Sequence, residues 1–183
     1  LIGIIGAAGA LLVVSIMSRN YDYIQKRIQS WVDPFADSQG NTWQTCQSLI
    51  AIGSGGLFGL GLGESRQKYL YLPETKNDFV FSIVCEELGL VGALTVVLLF
   101  TLLVIRGFYI AMRAKDKFGM LMAIGLTSHI GLQAFFNIAV VSNLIPNTGI
   151  SLPFFSYGGT ALMIQLFEMG VLLSVSRQIP GPK

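Results

Sequence analysis

Over most of this chain hydrophobic positions neither alternate nor recur at helical spacing; they run on. Four stretches, residues 1–18, 79–105, 118–145 and 158–176, are almost wholly apolar, and 1–18 and 88–105 carry no charge at all. About 20 apolar residues cross a bilayer as a helix, and in lipid each span must be helical to satisfy its own backbone. The pattern predicts an all-α, polytopic transmembrane helix bundle of four spans, joined by segments 19–78, 106–117 and 146–157 and closed by a tail, 177–183. Core helices of a soluble bundle would need polar outer faces that these stretches lack. The chain opens inside its first apolar run, with no basic region ahead of it and no cleavage site behind it. It therefore reads as a piece of a longer membrane protein rather than as a signal peptide.

The short connections set the sidedness. Arg106, Arg113, Lys115 and Lys117 lie between spans two and three against one acid, Asp116, and Arg177 and Lys183 follow span four. Basic short loops stay cytoplasmic. Residues 106–117 and 177–183 are then inside, and the 19–78 loop is extracytoplasmic. That loop carries six basic residues (Arg19, Lys26, Arg27, Arg66, Lys68, Lys76) and six acidic ones (Asp22, Asp33, Asp37, Glu64, Glu74, Asp78), as a translocated segment can.

Composition agrees. Charged residues make up 12% of the chain, about half the share of a soluble domain. A net charge of +2 gives no case for nucleic-acid binding. Cys46 and Cys85 form neither a metal-ligand spacing nor a disulfide framework.

A 60-residue loop in a compact membrane protein needs a reason. Tyr21, Ile24, Ile28, Trp31 and Val32 fall at helical spacing and predict an interfacial amphipathic helix over 21–32, ended by Asp33-Pro34. A second helix is predicted over 41–52, with Trp43, Cys46, Leu49 and Ile50 on one side. Six glycines follow between Gly53 and Gly63. They lack the Lys-Ser/Thr of a phosphate-binding P-loop. Tight turns at the membrane surface are the favoured reading, with a backbone cradle for a diphosphate as the alternative. Between Glu64 and Asp78, three cations (Arg66, Lys68, Lys76) and three carboxylates (Glu64, Glu74, Asp78) crowd the entry to span two. From local sequence, Asp78 is equally well an N-cap or a reactive group.

Polar residues also enter the spans. Glu86 and Glu87 lie two turns into span two, where burial of charge is costly unless they face a bundle interior or a wet cavity. His129, Gln133 and Asn137 follow at i, i+4 and i+8, a stripe best suited to joining helices. Gln165 and Glu168 form a weaker pair in span four. The turn between spans three and four brings Pro146, Asn147, Thr148, Gly149, Pro153, Ser156 and Tyr157 to the same side as Asp78. Two separate regions thus converge on one outward-facing site. No metal site is built around His129.

The runs 47–63, Leu72-Pro73-Glu74 with Asn77-Asp78-Phe79, Glu86-Glu87-Leu88-Gly89, and 147–159 (Asn-Thr-Gly-Ile-Ser-Leu-Pro-Phe-Phe-Ser-Tyr-Gly-Gly) resemble the SEDS proteins (shape, elongation, division and sporulation). Ser65-Arg66-Gln67-Lys68 is closer to the FtsW/SpoVE branch than to RodA. The resemblance covers nearly the whole chain with four ordered motifs. It implies the last four of ten helices and a bacterial plasma-membrane protein of many passes. It further implies a peptidoglycan glycosyltransferase that polymerises lipid II in division or sporulation, beside a class B penicillin-binding protein and other membrane proteins of those machineries. The essential loop aspartate of the family falls on Asp78. Lys76-Asn77, Ser151 and Glu168 depart from the family pattern without touching Asp78.

Under that resemblance, a carboxylate can act as general base on a sugar hydroxyl attacking a lipid-linked diphosphate sugar. A diphosphate leaves without the second carboxyl group that glycosidases use. Arg66, Lys68 and Lys76 are candidates to neutralise the leaving charge. Glu74, Glu86, Glu87, Asn147, Thr148, Ser156 and Tyr157 are the further substrate-side candidates. A divalent cation at the diphosphate is left open. The competing readings are a lipid II flippase and a non-catalytic scaffold for the penicillin-binding protein.

Overall fold

A computed structural model describes residues 24–25, 27–36, 42–65 and 77–179. Four helices are complete within it: α1 (Trp43–Ser54), α2 (Val80–Met112), α3 (Lys117–Val141) and α4 (Gly159–Arg177). The last three are long and apolar enough to cross a membrane, so three of the four expected spans are present; the first, 1–18, lies outside the described residues. The fold is helical, and the chain is a membrane protein.

Boundaries depart from the hydropathy pattern for local reasons. α2 continues through Arg106 to Met112, because charge at a membrane edge does not end a helix. The Arg106 and Arg113 guanidinium groups lie 4.9 and 4.5 Å from the centre of the Tyr109 ring. Asp116 caps α3, its Oδ2 accepting from Gly119 N at 2.9 Å. α3 ends four residues short of the expected 145, and Asn143 then takes a left-handed turn at φ 58°.

α2 holds a break that the pattern did not announce. Gly89 sits at φ 66°, ψ −163° inside an otherwise regular helix. In an unbroken helix, Leu90 N and Val91 N would donate to the carbonyls of Glu86 and Glu87. Here Leu90 N donates to Gly56 O at 2.9 Å and Val91 N to Leu57 O at 3.2 Å. The freed carbonyls accept from Leu60 N and Gly61 N at 2.9 and 3.0 Å. Four hydrogen bonds to the glycine-rich loop thus replace two within the helix. The 23 residues from 90 to 112 rise about 35 Å, enough to cross the bilayer unaided. Glu86 and Glu87 therefore lie on the loop side of the break.

The buried face of α1 also differs from expectation. Thr45, Cys46, Gln47, Ser48 and Ala51 are buried, whereas Ile50 is exposed. Small residues win this face because α1 packs close against its neighbours, with Ser48 Oγ donating to Val141 O at 3.0 Å. A core of Phe79, Phe81, Ile83, Val96, Phe100 and Ile130 joins α2 to α3. Their contact is close: a Cβ on Gly107 would lie 2.2 Å from Thr127 Oγ1, the small-residue packing expected between membrane helices.

Candidate functional site

Three chain segments meet where α2 begins and α3 ends: the turn 77–79, the connection 142–158, and the helical turns over 24–25 and 27–32. The N-cap position of α2 belongs to Phe79, so Asp78 stands one residue outside it, and the capping alternative loses its geometry. Phe79 is buried in the core, which anchors the turn. Ser156 Oγ donates to Asn77 O at 2.5 Å, and Asn137 Nδ2 donates to Asp78 O at 2.7 Å. The Asp78 side chain, half-buried, stands over Gly149: a Cβ added there would lie 3.6 Å from Asp78 Oδ2. Gly149 is at φ 72°, a left-handed conformation that costs glycine little.

The connection 142–158 is held largely through its main chain. Asn137 Nδ2 also donates to Ile150 O at 2.7 Å, and Gln133 Nε2 donates to Ser151 O at 3.1 Å. Gln165 Oε1 accepts from Phe154 N at 2.9 Å, steadying a non-glycine residue at φ 64°. Ser156 Oγ accepts from Leu152 N at 2.8 Å, and Asn147 Oδ1 from Gly149 N at 3.0 Å. From the far side, Arg27 Nη1 donates to Asn147 O at 2.5 Å, while Trp31 and Asn143 exchange two hydrogen bonds of 3.1 Å. Ile24, Ile28, Trp31 and Val32 are exposed on that segment, leaving an apolar face open beside the site.

The expected site residues therefore divide. Asp78, Asn147, Thr148, Ser156 and Tyr157 are brought to one end of the helices, with Thr148 and Tyr157 exposed and Ser156 engaged in the turn. Arg66, Lys68, Glu74 and Lys76 lie outside the described residues. Glu86 is only 1% exposed, and its Oε2 accepts from Ser65 Oγ at 2.5 Å. This places Glu86 beneath the glycine-rich loop as a brace, not on an open surface as its reading as a substrate ligand requires. Glu87 is half-buried at the helix break. The glycine-rich loop turns tightly, and its amides at 59, 60, 61 and 64 all donate to protein carbonyls, which withdraws them from a diphosphate cradle.

The polar stripe of α3 continues away from Asp78. Below Asn137 and Gln133, His129 Nδ1 lies 3.1 Å from Glu168 Oε1 of α4. A groove of about 460 Å³ opens between these helices, lined by His129, Gln133, Phe136, Ile150, Ile164 and Gln165. Among the described residues, no three His, Cys, Asp or Glu side chains gather to hold a metal ion. Sequence reasoning assigned no site role to Ser65 or Arg27, whose partners Glu86 and Asn147 lie 21 and 120 residues away.

The family described as cell cycle protein, FtsW/RodA/SpoVE, matches residues 1–180. The chain belongs to this family. It is 49% identical over 176 residues to stage V sporulation protein E of Bacillus subtilis (strain 168), covering 96% of this chain and 47% of that protein. It is 44% identical over 162 residues to the probable peptidoglycan glycosyltransferase FtsW of Geobacter metallireducens, covering 88% and 43%. A chain of a peptidoglycan synthase complex, solved in work on the coordination of polymerization and crosslinking, superposes with a TM-score of 0.66 at 30% identity, over 96% of this chain and 48% of that one. The rod shape determining protein RodA of Thermus thermophilus, crystallised as an aspartate-to-alanine mutant, gives 0.55 at 34% identity, over 74% and 41%. The chain thus spans a little under half the length of these relatives.

Proposed function

We propose that the protein carrying this chain is a peptidoglycan glycosyltransferase that polymerises lipid II on the outer face of the bacterial plasma membrane, with Asp78 as its general base. The observation that carries this reading is the Asp78 turn, fixed at three consecutive residues and set over Gly149 in the most motif-rich part of the chain. A relative named as a probable peptidoglycan glycosyltransferase supports the reaction class.

In this mechanism Asp78 takes the proton from an acceptor sugar hydroxyl as that oxygen attacks the anomeric carbon of a lipid-linked diphosphate sugar. A glycosidic C–O bond forms, the bond to the diphosphate oxygen breaks, and the lipid diphosphate leaves with the electron pair. Arg66, Lys68 and Lys76 balance the charge on that leaving group. A class B penicillin-binding protein would crosslink the product, a pairing supported by the synthase complex among the similar structures. The flippase alternative takes the polar residues of α2 and α3 as a translocation path with Asp78 as a headgroup ligand, but Glu86 is engaged with Ser65, and Asn137 and Gln133 with backbone carbonyls.

Complete protein in proteoliposomes with labelled lipid II tests the proposal. Asp78→Asn, nearly isosteric, should lower polymerisation at least a hundredfold while the protein stays monodisperse and folded. Polymerisation near the unmutated rate would remove Asp78 as the base.

A further inference from the structure

We infer that Asn137 is a positioning residue for Asp78, acting by locking the main chain that carries the carboxylate. This inference rests on the reading of Asp78 as the base. A primary amide carries two N–H donors in a fixed fork, and in Asn137 both are engaged: one on Asp78 O and one on Ile150 O, each at 2.7 Å. The two carbonyls belong to the turn before α2 and to the connection after α3, the segments that carry Asp78 and Gly149. A single side chain therefore sets the carboxylate's backbone against the residues it stands over.

The orientation of that amide is determined. Turned over, it would aim Oδ1 at two carbonyl oxygens. Asn137 is fully buried, so water does not substitute for a lost donor. Its Oδ1 has no hydrogen-bond partner among the described residues. Leaving a buried acceptor unsatisfied costs about 1–3 kcal/mol. An apolar side chain of similar volume would join the helices without that cost, so packing alone does not account for the amide. What accounts for it is the pair of carbonyls it holds. Small misplacements of a reacting group cost catalysis steeply, about a hundredfold for 1 Å, so the role should show in turnover rather than in substrate affinity.

The test uses the complete protein in proteoliposomes with lipid II. Asn137→Leu should lower kcat at least tenfold, with KM for lipid II unchanged within about threefold, in protein that elutes as one folded species. Ser48→Ala deletes a buried hydrogen bond from α1 to the last residue of α3 but touches neither carbonyl that Asn137 holds, and should leave kcat within twofold. If the leucine variant does not fold, Asn137→Ser, which keeps one donor, should fold and show the same loss confined to kcat. Wild-type kcat in either variant, kcat and KM moving together, an equal loss in Ser48→Ala, or failure of both Asn137 variants to fold would overturn the inference. Asp78→Asn separates the two proposals. If it is inactive while Asn137→Leu is fully active, only this inference fails; if it is active, the base assignment fails and this inference with it.

Discussion

Side chains around the site act mostly on main-chain atoms. Asn137, Gln133 and Gln165 each grip a backbone group of the connection 142–158, while Trp31 and Arg27 grip it from outside. The path of the connection is thus set from without, and its own Thr148 and Tyr157 are left facing outward. The same logic of enclosure governs Cys46, which is 2% exposed and whose thiol burial pushes above its ordinary pKa. A raised thiol pKa means less thiolate at a given pH, and the thiolate is the nucleophile. Cys46 in the folded protein should therefore react with maleimide at pH 8 at least tenfold more slowly than after denaturation, as read by mass spectrometry. Spacing made the His129–Gln133–Asn137 stripe legible as one helical face. What Asn137 holds was not legible, because Asp78 lies 59 residues away and is met only through a carbonyl that every residue possesses.

Among elements, the broken helix α2 departs furthest from its sequence pattern. The apolar run 88–105 reads as uninterrupted, and Gly89 within it looks like any membrane-helix glycine. The break exists because an earlier segment supplies the hydrogen bonds the helix gives up, and hydropathy does not encode such a pairing. The glycine run was legible as a turn-former, but its partner was not. A Cβ on Gly89 would meet Gly59 N at 2.3 Å and Leu57 O at 2.6 Å and would also have to adopt φ 66°. Gly89→Ala should cost roughly 3 kcal/mol, combining a strained backbone with weakened loop hydrogen bonds. Thermal unfolding in detergent checks this against Gly53→Ala. Gly53 lies in α1 with nothing near its missing Cβ, so that variant should match or slightly exceed the unmutated stability. A Gly89→Ala protein melting with the parent would show that the break is not held by its partner loop.

For the whole molecule, the membrane class and the convergence of two distant regions on one end of the helices followed from hydropathy and loop charge. The number of spans seen, three rather than four, reflects which residues are described. α2 and α3 form the packed unit, and α4 is attached more lightly, with only Gln165 and Leu172 buried along its length. Leu172 packs it against Ile110, Ala111 and Ala123, and two polar ties add to that: Gln165 to Phe154, and Glu168 to His129.

The loop lodged in the Gly89 break also makes a clock. Amides of membrane-spanning helices are ordinarily shielded by their own turn, whereas those of Leu90 and Val91 are shielded by residues 56 and 57. Leu60 and Gly61 are protected by the same docking in reverse. All four positions should therefore show one common protection factor, set by loop release, with the amides from Val96 to Phe100 protected at least tenfold more strongly. Hydrogen exchange by mass spectrometry in detergent would read that release directly, and four unrelated protection factors would show that loop and helix open independently.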